Sequence, residues 1–207
     1  MKIIQYVSGI LILTLGIALT IQSDLGASPY DALLVGLFNT VGLTVGSWEI
    51  IVALVIILLI AVLKRQRPVF IGLLTAVVTG IGIDFWLYLL PHFIVPEQVF
   101  SKLAFFSVGV ILLGLGTAVY LYTHFAPAPL DHLMLAIREL TGKGILFSRT
   151  LIYLVSLTLA FFFNGPIGVG TVLTVFLGGP ILNFFMGLMQ KQQRTTAPAS
   201  EPMDVQA

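Results

Sequence analysis

Residues 27–34 read ASPYDALL and follow soon after a long apolar run that ends at Ile21, and residues 128–135 read APLDHLML after a second such run. In both stretches an aspartate stands two residues after a proline, and these aspartates are Asp31 and Asp131. Proline at the first helical position and an acid in the first turn are typical of a helix start. The pattern therefore predicts two short helices, each beginning just beyond a segment of membrane-spanning length.

The two predicted helices are too short to cross a membrane. One covers about residues 29–40, with Ser28 as its N-cap, and the other about residues 129–141; Gly42 and Gly142 follow as stop signals. Twelve residues rise about 18 Å, against a hydrocarbon core of about 30 Å. The first helix is apolar nearly all round, which favours a re-entrant element. The second is amphipathic and fits an interfacial position equally well.

The composition predicts an integral membrane protein. Only 9% of the 207 residues are charged, 58% are hydrophobic, and the mean hydropathy is +1.07. A soluble domain carries about 25% charged residues, so this chain has too few charges to cover a water-exposed surface. The sequence has no Lys/Arg-rich face of the kind that binds nucleic acid. Cysteine is absent, which excludes disulfides and thiolate chemistry.

The hydrophobic pattern predicts an all-α membrane protein with six transmembrane helices. A helix needs about 20 residues to cross the bilayer. Six segments meet that length: residues 3–22, 46–63, 69–90, 99–123, 146–164 and 169–189. The polar stretch 190–207 shows no periodicity and predicts a disordered tail.

Lysine and arginine mark the side of the membrane on which each loop lies. Residues 24–45 and 91–98 contain none, and Lys102 is the one mild exception on that side. Because such residues concentrate in cytoplasmic loops, both termini and the tail are predicted to be cytoplasmic. The cytoplasmic set is Lys2, Lys64, Arg65, Arg67, Arg138, Lys143, Arg149, Lys191 and Arg194.

The chain contains an internal repeat of about 100 residues. Aligned without gaps, residues 13–37 and 113–137 share seven identities in 25 positions, among them the Pro and Asp of both short helices. Residues 80–86, GIGIDFW, resemble residues 179–185, GPILNFF. The repeat predicts two units, residues 1–98 and 99–189. Each unit holds three spans, an odd number, so the second must enter the membrane from the opposite side. Such inverted repeats are common in secondary transporters.

Acidic residues in or beside the spans are the candidate site residues. Asp31 and Asp131 have two interpretations: they complement the helix dipole, or they bind a cationic or proton-carrying solute. Asp84 lies about 22 Å along its span, where a carboxylate is costly and usually faces a cavity or a partner. Hydration near the outer interface is the alternative for Asp84. Asn183 is its counterpart in the repeat, and Asp24, which ends the first span, is either functional or simply solvated.

Two long polar side chains lie about one turn inside their spans. Glu49 and Arg149 correspond at the repeat distance of 100 residues. Side chains of this kind near span ends commonly reach back to the interface. The expectation is therefore that both do so; the alternative is a pair embedded in the membrane, against which the repeat places the two residues at opposite faces.

Several separate motifs resemble the YitT/YczE family of bacterial integral membrane proteins. They are GIALTIQSDLGASPYDALLVGLFNTVGLTVGSWEI at 16–50, GIGID at 80–84 and NGPIGVGTVLTVFLGGP at 164–180. The resemblance covers nearly all of residues 9–189 and implies a multi-span protein of the bacterial cytoplasmic membrane. HFAPAPLDH at 124–132 departs from DLGASPYDA at 24–32, because the glycine and the serine cap are lost.

The sequence favours a small-solute permease that works by alternating access of two inverted halves. Asp84 and Asp31, with Asn183 and Asp131 as their counterparts, are predicted to couple the solute or protons, and the lipid bilayer is the expected environment. No catalytic, nucleotide or metal motif is present, so we expect neither an enzyme nor a cofactor. Two rival functions are a solute-binding subunit of a larger transporter and a non-transport accessory or regulatory protein. A second copy of the chain is a candidate partner.

Overall fold

The computed structural model describes residues 2–123 and 125–196, except for the side chains of residues 190 and 192–196. This part of the chain folds into eight α-helices and one short 3-10 helix, Leu90–His92. The helices run in the order α1 Lys2–Gln22, α2 Pro29–Val41, α3 Val45–Lys64, α4 Ile71–Leu89, α5 Val99–Tyr122, α6 Pro129–Thr141, α7 Ile145–Phe162 and α8 Val169–Thr196.

Six helices in the described part of the chain are long and apolar enough to cross a membrane. They are α1, α3, α4, α5, α7 and α8, which confirms the six predicted spans. Helix α8 continues to Thr196, beyond the predicted end at residue 189, so the first residues of the predicted tail are helical. The rest of that tail, residues 197–207, lies outside the described residues.

The two short helices form where the Pro-x-Asp pattern predicts them. Helix α2 begins at Pro29, and the Ser28 hydroxyl accepts a hydrogen bond from the backbone N–H of Asp31. Both helices end at a glycine with positive φ, +94° at Gly42 and +66° at Gly142, a conformation that other residues rarely adopt. Helix α2 is buried along most of its length and packs against α3 and α7. Helix α6 has fewer buried positions.

Among the described residues, helices α1 and α5 share the most extensive contact, and small residues allow it. A Cβ added at Gly16 would lie 2.5 Å from the backbone nitrogen of Leu113, and one at Gly116 would clash with the backbone nitrogen of Leu13. The two contacts are equivalent, because adding 100 to the α1 residue and subtracting 100 from the α5 residue converts one into the other. The residue number falls along α5 as it rises along α1, so the two helices are antiparallel.

Most helix neighbours recur in both halves of the chain. Helix α1 packs on α4 as α5 packs on α8, and α2 packs on α7 as α6 packs on α3. The largest departure from this correspondence concerns one pair. Helices α3 and α4 pack closely, whereas the backbones of α7 and α8 stay apart along their described residues and the Arg149 side chain of α7 reaches the glycines of α8. A space therefore opens between α7 and α8.

Candidate functional site

A cavity of about 430 Å³ lies where α7 and α8 separate. Its wall also includes residues of α1, α2, α5 and α6, so both halves of the chain contribute to it. Most of the wall is apolar. The polar or ionisable side chains in it are Ser28, Tyr30, Asp31, Thr117, Asp131, Arg149, Tyr153, Thr174 and Asn183.

Asp31 enters the cavity wall from the first turn of α2. Its side chain is buried, and its Oδ2 accepts a hydrogen bond of 2.6 Å from the Ser28 hydroxyl. Burial raises the pKa of Asp31 to about 6, although the Ser28 hydrogen bond acts in the opposite direction. No described residue donates a hydrogen bond to Oδ1. The helix-start geometry that sequence predicts therefore also places a carboxyl group at a cavity.

Asp131 occupies the equivalent position on α6. The Tyr120 hydroxyl of α5 donates a hydrogen bond of 2.7 Å to its Oδ2. Burial raises the pKa of the Asp131 carboxyl, and the Tyr120 hydrogen bond and the charges of His132 and Arg149 oppose that rise. The two aspartates of the repeat thus meet the same cavity from different halves of the chain.

Arg149 provides positive charge in the same wall. Its Nε and Nη2 donate hydrogen bonds of 3.1 and 2.9 Å to the hydroxyl of Tyr153, one turn further along α7. Its guanidinium lies against α8, because a Cβ added at Gly178 or Gly179 would be 3.3 Å from one of its terminal nitrogens. Within the described residues, no carboxylate forms an ion pair with Arg149.

The interfacial position predicted for Glu49 is wrong, whereas that of Arg149 stays a prediction. Arg149 is half-buried, lines the cavity and donates hydrogen bonds to the Tyr153 hydroxyl. Glu49 is only 8% exposed, and its carboxyl lies against Tyr30 and close to Asp31. Position near a span end predicted snorkelling, but the tertiary neighbours of Glu49 hold its carboxyl inside the molecule.

Asp84, the leading candidate from the sequence, is absent from the residues that line this cavity. Its carboxylate accepts hydrogen bonds of 2.6 Å from the Thr44 hydroxyl and 2.8 Å from the backbone N–H of Gly46. These bonds tie α4 to the first turn of α3, where a Cβ at Gly80 would lie 2.5 Å from the Gly46 carbonyl oxygen. The arrangement makes Asp84 a clamp between two helices.

Asn183 and Asp24 have different surroundings from Asp84. Asn183, the counterpart of Asp84, is exposed and lines the cavity beside the separated α7 and α8. Asp24 forms an ion pair of 2.7 Å with Lys102, and its side chain is 77% exposed. An exposed pair of this kind contributes little to stability, and Asp24 lies outside the cavity wall.

Sequence reasoning missed Arg149 as a site residue, together with Tyr120 and Tyr153. One signal for Arg149 was available: a permanently charged side chain in a span, with a paired glycine, Gly178–Gly179, at the matching depth of the last span. The two tyrosines gave no such signal, since aromatic residues are frequent near both ends of membrane helices.

Comparison with known proteins gives a family and several relatives. Residues 1–187 match the model of a family of unknown function, DUF6198. "Uncharacterized protein YyaS" of Bacillus subtilis is 54% identical over 191 residues, which cover 92% of this chain and 95% of the relative. "Uncharacterized membrane protein YczE" of the same organism is 39% identical, covering 86% of this chain and 82% of the relative. An "Uncharacterized protein" of Haemophilus influenzae is 28% identical, with coverages of 87% and 81%. No solved structure matches the chain.

Proposed function

The chain belongs to the DUF6198 family of membrane proteins, as the resemblance to YitT/YczE proteins predicts, and we propose that it is a small-solute permease of the bacterial cytoplasmic membrane. In this proposal the two halves are inverted repeats that alternate in opening the cavity. The purified chain alone is sufficient for transport and uses no cofactor.

The packing of α1 against α5 supports an inverted arrangement of the halves. Gly16 contacts Leu113, and Gly116 contacts Leu13. A shift of 100 residues converts one contact into the other, as a two-fold axis between the two helices would. Two equivalent helices that run antiparallel are related by a two-fold axis perpendicular to both. If these helices cross the membrane, that axis lies in the membrane plane, as in inverted-repeat transporters.

The proposal rests on a difference between two equivalent helix pairs, one of which is in close contact while the other is apart. Helices α3 and α4 are held together by Asp84, Thr44 and Gly46, whereas α7 and α8 are apart around the cavity. One repeat closed and the other open is the asymmetry that alternating access requires, because each half adopts the other's conformation in the opposite state.

The charge distribution supports an orientation for this state. Arg149 and Asn183 lie near the start of α7 and towards the end of the last predicted span, which the lysine and arginine count places on the cytoplasmic side. The Asp84 clamp joins the start of α3 to the end of α4, on the outer side. In this proposal the structure represents an inward-open state with its outer gate closed.

Paired cysteines in this cysteine-free chain test the alternation. Thr44→Cys with Asp84→Cys joins the outer gate, and Gly144→Cys with Asn183→Cys is the repeat-equivalent pair at the inner gate. The first pair removes the Asp84 hydrogen bonds, but the close approach of Gly46 to Gly80 remains, so we expect this pair to cross-link rapidly in native membranes. The second should cross-link more slowly, in proportion to the population of the opposite state.

The result that contradicts alternation is an inner-gate pair that never cross-links while both variants insert normally. Uptake is measured separately, with the purified chain in liposomes and each cross-link formed or reduced. Either cross-link should stop uptake, and reduction should restore it. Solute binding without uptake by the chain alone would favour a binding subunit, and the absence of both would favour an accessory role.

A further inference from the structure

The cavity combines charges of opposite sign that do not neutralise each other by direct contact. Arg149 has five N–H donors, and the Tyr153 hydroxyl engages only those of Nε and Nη2. No described carboxylate lies within ion-pair distance of the guanidinium. An arginine within a membrane protein is costly unless a partner satisfies it, so these spare donors indicate a site for an anionic group.

The cavity wall around Arg149 leaves room for such a group. The guanidinium lies beside two consecutive glycines of α8, where any larger residue would approach its terminal nitrogens. A planar guanidinium pairs best with a carboxylate, through two parallel hydrogen bonds. Tyr153 engages the Nε–Nη2 edge of the guanidinium, and Nη1 donates no hydrogen bond to the described residues, so its N–H groups are the ones offered to a ligand.

Two carboxyl groups lie in the same wall as this anion site. Asp31 and Asp131 each have Oδ2 engaged by a hydroxyl, from Ser28 and Tyr120 respectively. Their Oδ1 atoms receive no hydrogen bond from the described residues. A site that contained only Arg149 would suit an anion, and one that contained only the aspartates would suit a cation. The presence of both disfavours either ligand alone.

The rest of the cavity is built for an apolar body. Its apolar side chains come from α1, α5, α7, α8 and the short helix α6, and together they form most of the cavity surface. A volume of about 430 Å³ suits a ligand of amino-acid size and excludes a folded partner. The apolar side chains are Leu13, Ile17, Val110, Leu113, Leu130, Met134, Ile145, Ile152 and Leu182.

We propose that the cavity binds a zwitterion with an apolar side chain, of the α-amino acid class. This inference rests on the proposed permease function and names its substrate class. Arg149 binds the carboxylate, and Asp131, assisted by Asp31, binds the ammonium group. The two ligand charges take the place of a direct ion pair between Arg149 and the aspartates, and the apolar side chain lies against the aliphatic wall.

Matched ligands separate the contributions of the two charges. Leucine carries both groups, 4-methylpentanoate lacks the ammonium group, and 3-methylbutylamine lacks the carboxylate, while all three share one apolar body. Alanine, valine, methionine and phenylalanine extend the panel. Affinities are measured from the shift of the thermal unfolding midpoint of the purified full-length chain in detergent as ligand concentration rises. At least one amino acid should bind tenfold or more tightly than both of leucine's partial analogues.

Variants assign each charge to its residue. Arg149→Gln should weaken amino-acid and 4-methylpentanoate binding at least tenfold and leave 3-methylbutylamine binding unchanged. Asp131→Asn should weaken amino-acid and amine binding and spare 4-methylpentanoate. Arg138→Gln and Glu97→Gln remove the same charges from exposed positions and should change nothing. Arg149→Lys keeps the positive charge but lacks the two parallel N–H donors of the guanidinium. This variant is used instead of Arg149→Gln if Arg149→Gln does not fold.

The inference is overturned if no amino acid binds more tightly than the partial analogues, or if neither cavity variant changes amino-acid affinity. Uptake into liposomes keeps this result separate from the permease proposal. Amino-acid binding without uptake would support the ligand class and contradict the permease. Preferred uptake of 4-methylpentanoate or of 3-methylbutylamine would support the permease and contradict the ligand class.

Discussion

Removal of the Asp84 carboxylate should loosen the contact between α3 and α4. Asp84→Ala eliminates two hydrogen bonds, 2.6 Å from the Thr44 hydroxyl and 2.8 Å from the Gly46 N–H. Hydrogen bonds to charged groups contribute about 1.5–3 kcal/mol each when buried. Asp84 is only partly buried, so water can take over the hydrogen bonds of the lost carboxylate. We therefore estimate that the two hydrogen bonds together contribute about 1–2 kcal/mol to the contact between α3 and α4.

That free energy predicts a measurable change in opening. About 1–2 kcal/mol corresponds to a roughly 5- to 30-fold increase in the population in which α3 and α4 are apart. Ala53 is a suitable reporter, since it is 1% exposed and lies two helical turns after Gly46 on the same face of α3. In a background without other cysteines, Ala53→Cys reacts with a maleimide only when the contact opens.

The labelling rate of Cys at position 53 should therefore rise roughly 5- to 30-fold when Asp84→Ala is added, as the energy estimate gives. Glu97→Ala is the control, because it removes an acid from an exposed connection and should leave the rate unchanged. A rate within about twofold of the parent, in a variant that elutes as a single species, would refute the clamp. The alternative of direct solute or proton coupling by Asp84 would then regain priority.

Two further predictions concern packing and pH. Gly16→Leu should destabilise the chain by about 1–3 kcal/mol, since its Cβ would lie 2.5 Å from the Leu113 nitrogen; Gly187→Leu, with no atom within 4 Å of an added Cβ, is the control in unfolding experiments. Burial raises the pKa of Asp31 from 3.8 to about 6, so the folded chain holds a proton that the unfolded chain releases. Stability should fall as pH rises from about 4 to about 6, by at most about 3 kcal/mol, and stay level above that. Asp31→Asn should abolish this slope in melting curves, and an unchanged slope would assign it to other groups.

Local signals in the sequence predicted the elements that depend on neighbours along the chain. Ser28 and Pro29 specify the start of α2, and Gly42 and Gly142 end the two short helices, because capping and positive φ are local properties. The hydrogen-bond partners of Asp84 were harder to predict. Its depth in a span indicated a cavity or a partner, and only the approach of Gly46 to Gly80 makes the partner the start of a neighbouring helix.

The sequence by itself determined six helices of membrane-spanning length and two short helices at the matched Pro-x-Asp motifs, because hydrophobic length and motif spacing need no knowledge of the folded chain. Only the tertiary structure decided that Asp31, Asp131 and Arg149 meet in one cavity and that α7 and α8 are apart around it. The physical reason lies in the solvent. In a bilayer, the lipid-facing and protein-facing sides of a helix are both apolar, so the pattern that identifies a buried face in water carries little information about helix neighbours.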